Sequence, residues 1–224
     1  MADVVADRLG ADIVAGVLRP GDGFTLQGLI DRFAVSRTVA REAMRLLEEM
    51  SLVAARPRIG ITVLPPDAWD RFNPRLIRWR LDSPHRDEQL RSLTELREAV
   101  EPAAARLAAE RATPAERERL VRLAHDLRDA ATTIDGATLA RIDIDYHTAL
   151  LAASHNEMFA ALTGAVAEVL DGRIRLGLQP SPPEADALDL HLLLARSVAD
   201  GDRAAAERHA RALVHEVRDA LARR

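Results

Sequence analysis

The chain has 224 residues, 48% of them hydrophobic, enough to bury one large core or two modest ones. It contains no cysteine, which excludes a disulfide framework, a thiolate metal site and a cysteine nucleophile, and leaves any metal to nitrogen and oxygen ligands. The formal net charge of −4 argues against a surface that is basic throughout but allows a local basic patch; no apolar run approaches a membrane span or a secretory leader, so a cytoplasmic protein is expected.

Val5, Leu9, Ile13 and Val17 recur every four residues and predict a first helix over about residues 3–18, ended by Arg19-Pro20-Gly21. After a turn, residues 25–33 read as a shorter helix, Ala34-Val35 as a tight corner, and Ser36 as the N-cap of a third helix lasting to about Met50. In that helix Ala40, Ala43, Leu46 and Leu47 share one face, while Arg37, Arg41 and Arg45 form an i, i+4, i+8 row on another. Such a row suits phosphates and guanine edges in a major groove, although arginine rows are more often plain solvated faces.

The neighbours decide between those readings. Leu52-Val53-Ala54 and Ile61-Thr62-Val63-Leu64 are strand-like and flank Arg56-Pro57-Arg58-Ile59-Gly60, a basic hairpin tip. Five of the eight arginines in the first 66 residues fall between Arg37 and Arg58, against three acids. Helix-turn-helix spacing followed by a basic wing points to double-stranded DNA. Pro65-Pro66 then marks a boundary, giving an expected DNA-binding domain over 1–66 and a helical domain over 67–224.

Beyond the boundary the pattern is helical. Residues 67–79 carry Trp69, Phe72, Leu76 and Trp79 at helical spacing, a stripe that suits core packing. A long helix over residues 90–112 is interrupted by Pro102, and Thr113-Pro114-Ala115-Glu116 is a capping box that opens a helix to about Ala131. Helices over 138–153, from a second capping box at Ser154 to about Ile174, and over 184–199 and 202–222 complete the chain, with a loop at 180–183. The predicted fold class is mainly α: a winged helix-turn-helix of three helices and a small β-hairpin, then an all-α antiparallel bundle whose interior can hold a ligand. Asp143 and His147 project from one helix face as metal ligands should, and His191 sits in the apolar stretch 188–194, though a lone buried histidine is commonly structural.

Residues 13–63 resemble the winged-helix domain of GntR-family transcription regulators. The likeness is carried by Gly16, Pro20-Gly21-Asp22, Leu29, Val35-Ser36-Arg37-Thr38, Arg41-Glu42-Ala43, Leu46, Leu52-Val53 and Gly60. It implies that Arg37 and Arg41 read base edges, that Ser36, Thr38 and Arg45 hold phosphates, and that Gly60 lets the wing approach the minor groove. Arg58 belongs to the basic tip, and Gln27 stands in an often charged pair where it makes a weaker backbone contact. Val39 and Ala40 replace the usual proline and valine, and Ser51 replaces a helix-ending glycine at a cost of about 1 kcal/mol.

From about Leu76 onward the chain is similar to the FCD ligand-binding domain of the FadR branch, through Leu93 to Arg97, Glu101-Pro102-Ala103-Ala104, Asp143 to His147, Asn156, His191 and Gly201-Asp202. This resemblance implies a divalent metal, zinc, nickel or manganese, on Asp143, His147 and His191, met by the carboxylate of an effector. The family's last histidine falls on Leu213; His209, one turn earlier and about 40° away in helical angle, is the candidate substitute. Arg97 matches a position that grips effector carboxylates, its bland reading being an i, i+4 pair with Glu101. Asn156, Arg173 and Arg175 are further pocket candidates. The segment 72–79 is similar to the interdomain segment of FCD regulators that answer to sugar acids such as galactonate.

The expected protein is a homodimeric repressor on a pseudo-palindromic operator, controlled by a small carboxylate, with a sugar acid as the leading effector. One alternative is a regulator answering to an acyl or amino-acid effector without metal. Another is a small metal-dependent hydrolase, against which Asp145, the nearest spare carboxylate, points away from Asp143 and His147.

Overall fold

The computed structural model describes residues 1–56, 60–133, 136–178 and 185–222. Helix α1 (Ala2–Val14) stops short of the expected Leu18, because Gly16 turns left-handed at φ +75° and the amides of Gly16 and Val17 reach back to the carbonyls of Ile13 and Asp12. A strand not foreseen from the sequence, β1 (Gly23–Phe24), follows; two residues are too few to show alternation. Helix α2 (Leu26–Phe33) is capped by Thr25, whose hydroxyl accepts from the Gly28 amide, and ends on Ala34 in the left-handed region. Ser36 likewise caps α3 (Arg37–Glu49) by accepting from the Val39 amide.

At the far end of α3, Ser51 takes φ +56° while its amide bonds to Glu48 and that of Leu52 to Leu47, the two bonds of a Schellman turn. Strands β2 (Val53–Arg56) and β3 (Gly60–Val63) pair antiparallel, with Val53 opposite Val63, and β1 adds to the other edge of β3. The expected hairpin is therefore a three-stranded sheet with β3 in the middle. Val5, Leu9 and Ile13 of α1, Leu29 of α2, Ala40, Ala43, Met44 and Leu47 of α3, and Val53, Ile61 and Val63 of the sheet form one core.

The single helix expected over 67–79 is two pieces. A 3-10 turn at Pro66–Ala68 precedes α4 (Pro74–Leu81), which starts afresh because Asn73 accepts from the Arg75 amide and Pro74 occupies the first helical position. Trp69, Leu76 and Trp79 join the first core, whereas Phe72 is 56% exposed and leaves the stripe. Trp79 lies so close to α1 that a Cβ on Gly10 would stand 2.2 Å from its ring.

The chain forms two compact units, Met1–Gln89 and Leu90–Arg224. Helix α5 (Arg86–Arg111) carries Pro102, and α6 (Pro114–Thr133) opens on the Thr113 capping box, with the Thr113 amide donating to Glu116 at 2.8 Å. Helix α7 (Gly136–Ala153) is followed by a correction to the second capping box. Ser154 turns its hydroxyl back to the Leu151 carbonyl, His155 is left-handed, and Asn156 caps the short α8 (Glu157–Ala160), separate from α9 (Thr163–Arg175).

Helices α10 (Ala185–Ala199) and α11 (Arg203–Ala222) meet at Gly201 and Asp202, the latter accepting from the Ala205 amide. The expected loop at 180–183 lies outside the described residues. Leu120, Leu127, Tyr146, Leu150, Leu194, Val198 and Leu213 fill the space among α6, α7, α10 and α11. Arg117 donates to the carbonyls of Ala109 and Ala112 on one side and Ala199 on the other, satisfying helix-end oxygens of both α5 and α10. Among the described residues no helix is long and apolar enough to cross a membrane.

Candidate functional site

The first turn of α3 presents Ser36, Arg37, Thr38 and Arg41 exposed, since the opposite face is consumed by Ala40, Ala43 and Met44 in the core. Arg45 is also exposed but clamped between Glu42 (2.7 Å) and Glu49, which hold its guanidinium proton more tightly, while Arg45 in turn holds the Glu42 carboxyl down. Among the described residues, Arg45 is the one arginine of the row that is paired to two carboxylates. Gln27 donates to Asp31 at 2.9 Å, and Arg58 lies outside the described residues. Gly60 has a local reason to be glycine: at φ +98°, a Cβ would sit 2.9 Å from the Phe24 carbonyl oxygen.

The second site is buried in the helical unit. Asp143 and His147 lie one turn apart on α7, His191 comes from α10, and one ligand atom from each falls within 4.8 Å of the others. The Nε2 of His191 is 3.2 Å from Asp143 Oδ1 and that of His147 is 3.5 Å from the same oxygen. Both rings are oriented from behind: His191 Nδ1 donates to the Ala187 carbonyl at 2.7 Å, and His147 Nδ1 faces Glu101 Oε2 at 3.0 Å. With a proton on Nδ1, each Nε2 faces the same carboxylate oxygen, an arrangement that either a second ring proton or a cation bound among the three would satisfy.

His191 Nε2 meets no hydrogen-bond geometry there although the oxygen is within 3.2 Å. Contact without a directional hydrogen bond is how converging ligand atoms stand, so the three residues fit a nitrogen and oxygen site for zinc, nickel or manganese.

Burial dominates the electrostatics and is overruled by charge pairing. It would raise Asp143, but the His147 and His191 imidazoles beside it hold its carboxyl well below the usual range. It would raise Glu101 too, yet Arg97 and His147 bring that carboxyl down to about 2. Desolvation would lower His147, and the Glu101 charge turns the shift upward. Tyr146, fully buried, packs edge-on against both imidazoles at 4.9 and 5.6 Å and donates to the His191 carbonyl; burial, then Glu101 and Asp143, push its phenol well up.

Arg97 is 2% exposed and makes the i, i+4 pair with Glu101 through Nε and Nη2. Its Nη2 also lies 3.4 Å from both ring nitrogens of His147, while Nη1 is buried with no hydrogen-bond partner among the described residues. The triad and Arg97 are therefore brought together.

His209 is not. Leu213 takes the inward position of α11, and His209 lands further along α10, its Nδ1 3.0 Å from Ser197 Oγ. Asn156 is occupied as a cap on the Met158 amide, Arg175 is tied to Asp171 at 2.9 Å, and Arg173 is buried on α9. Asp145 pairs with Arg141 at 3.5 Å, away from the triad. Two residues at the centre escaped the sequence reading, Glu101 and Tyr146. Both lie in stretches that carry the FCD likeness, but the sequence presents Glu101 only as Arg97's partner and gives Tyr146 no role.

Residues 1–63 match the family of bacterial regulatory proteins called gntR, and residues 92–216 match the FCD domain. The chain is 28% identical over 216 residues to the galactonate operon transcriptional repressor of Escherichia coli (strain K12), covering 95% of this chain and 93% of that one. It is 32% identical over 156 residues to LutR, an HTH-type transcriptional regulator of Bacillus subtilis (strain 168), covering 69% and 68%. Among solved structures, Lar, which controls expression of the agr system of Listeria monocytogenes, aligns with a TM-score of 0.64 at 16% identity over 100% and 97% of the two chains. McbR/YncC of E. coli aligns at 0.57 and 18% over 99% and 97%. At such identities the structural likeness is one of fold. The families and the curated relatives are regulators of transcription rather than enzymes, and the chain belongs with them: it is a DNA-binding transcription regulator of the GntR family, with an N-terminal helix-turn-helix domain and a C-terminal FCD domain.

Proposed function

We propose that the protein is a homodimeric repressor that leaves a pseudo-palindromic operator when a sugar acid, or a related hydroxy-carboxylate, enters the helical domain at a divalent metal held by Asp143, His147 and His191. The observation that carries this reading is the shared orientation of the two imidazoles, each with Nδ1 engaged and Nε2 turned to Asp143. A metal bound there supplies Lewis-acid attraction for the carboxylate and hydroxyl oxygens of the effector. Arg97 adds positive charge beside the site, and its buried Nη1 is a donor without an acceptor among the described residues. The galactonate operon repressor, as a relative over most of both chains, supports the sugar-acid class.

In the DNA-binding domain, residues 1–66, Arg37 and Arg41 read base edges while Ser36, Thr38 and Arg45 hold phosphates, helped by Gln27, Arg58 and Gly60. The effector acts by favouring, within the 67–224 domain, the conformation that fits the operator poorly.

The test starts from DNA fragments recovered with the purified protein and measures their binding by fluorescence anisotropy. Galactonate, other sugar acids, and acyl and amino-acid carboxylates are each added with Zn²⁺, Ni²⁺ or Mn²⁺ and again with EDTA. A sugar acid should weaken operator binding by about tenfold in the presence of metal, within the range of ordinary allosteric coupling, and EDTA should abolish the response. A response of equal size in EDTA overturns the metal; a response to acyl or amino-acid carboxylates alone overturns the effector class.

A further inference from the structure

Glu101 supplies no atom to the triad, yet with Arg97 it is where the triad meets α5. It is 1% exposed, with Oε2 3.0 Å from His147 Nδ1 and Oε1 accepting from Arg97 Nε. A carboxylate this deep is tolerable only if its lone pairs are used, and here each oxygen has a charged or polarised donor.

The two histidines differ in what stands behind them. His191 leans on the Ala187 backbone carbonyl, a dipole without net charge, whereas His147 leans on a full carboxylate. A carboxylate accepting Nδ1–H fixes the tautomer with the lone pair on Nε2 and feeds electron density through the ring, and its charge offsets that of an incoming cation. Arg97 works against it: the guanidinium takes part of the same carboxylate's charge and lies 3.4 Å from the His147 nitrogens.

We propose that Glu101 is a positioning residue for the metal centre, setting the tautomer and donor strength of His147 and through them the affinity of the site for divalent metal. The inference rests on the metal reading given above. It assigns control of that affinity to a residue outside the ligand set and on a different helix from every ligand.

The experiment titrates full-length protein with Zn²⁺ alone in competition with a chromophoric chelator, and records the ¹⁵N shifts of the His147 ring before metal is added. Glu101→Gln keeps the shape and removes the charge; it should weaken Zn²⁺ about 10- to 100-fold and move the ring shifts away from a single Nδ1–H tautomer. Should Glu101→Gln fail to fold because Arg97 is left without its counter-charge, the double variant Arg97→Met with Glu101→Leu removes both charges and should still weaken Zn²⁺, by less than Glu101→Gln because the opposing guanidinium is gone too, and should lose the single Nδ1–H tautomer. Wild type and variant binding Zn²⁺ equally, with unchanged ring shifts, overturns the inference alone. A wild-type protein that binds no Zn²⁺ overturns the metal reading and this inference with it.

Discussion

On α3, Arg37 and Arg41 stand in water, where a guanidinium is fully solvated and its worth appears only when a phosphate or base edge replaces the solvent. Around His147, Arg97 and Glu101 are 2% and 1% exposed, and each must be answered by another charge before the helices can close over them. The difference separates two ways of holding charge in one chain. At the proposed DNA-reading face, function can be removed without touching the fold; in the helical unit, the proposed site and stability share the same atoms.

The sharpest break of that contrast is Glu101→Ala. It strands the Arg97 guanidinium in the interior and should cost about 3–5 kcal/mol in urea unfolding, while the double change that discharges both residues should recover most of the loss. Arg37→Ala or Arg41→Ala should instead cost about 1–3 kcal/mol of operator binding and leave the unfolding midpoint where it was. If either arginine variant unfolds early, the separation of function from fold on α3 is wrong.

Ser51→Gly probes the same helix from its other end. Relieving the left-handed strain at φ +56° should add up to about 1 kcal/mol of stability, and operator affinity measured at the same temperature should not change.

The smallest effect belongs to Glu116, an intermediate case at the head of α6. Hydrogen bonds from His155 and the Thr113 amide hold its carboxyl below the ordinary 4.5. Its contribution is thus complete above that pH and is lost as pH falls through the lowered value. Glu116→Gln should be less stable than wild type by under about 1 kcal/mol at neutral pH, with the gap closing in acid, as paired pH-melting curves would show.

How much of this was legible in the sequence depends on whether one residue or several fix the feature. Caps are local: Ser36, Thr113 and Asp202 were readable because a side chain and an amide three residues away suffice. So was the inward face of α7, where Asp143 and His147 share a turn. The end of α1 was misplaced because apolar spacing carries past Gly16, although the backbone turn there does not. Asn73 and Pro74 broke a helix that the Trp69 and Trp79 spacing suggested was whole, and the helix expected from Ser154 starts instead after Asn156 and is interrupted at Ala161 and Leu162.

The site divides along the same line. Residues from one helix could be paired by periodicity, but Glu101 reaches His147 across two helices, and His209 misses them by a rotation that only the packing of Leu213 decides.

The position of Tyr146 has a practical consequence. It is the chain's single tyrosine, it touches both imidazoles, and both tryptophans belong to the other compact unit. The Tyr146 ring proton shifts therefore report on the buried centre, while indole fluorescence reports on the winged-helix half. The proposed metal loading and operator engagement can thus be followed through two separate reporters in one unlabelled sample.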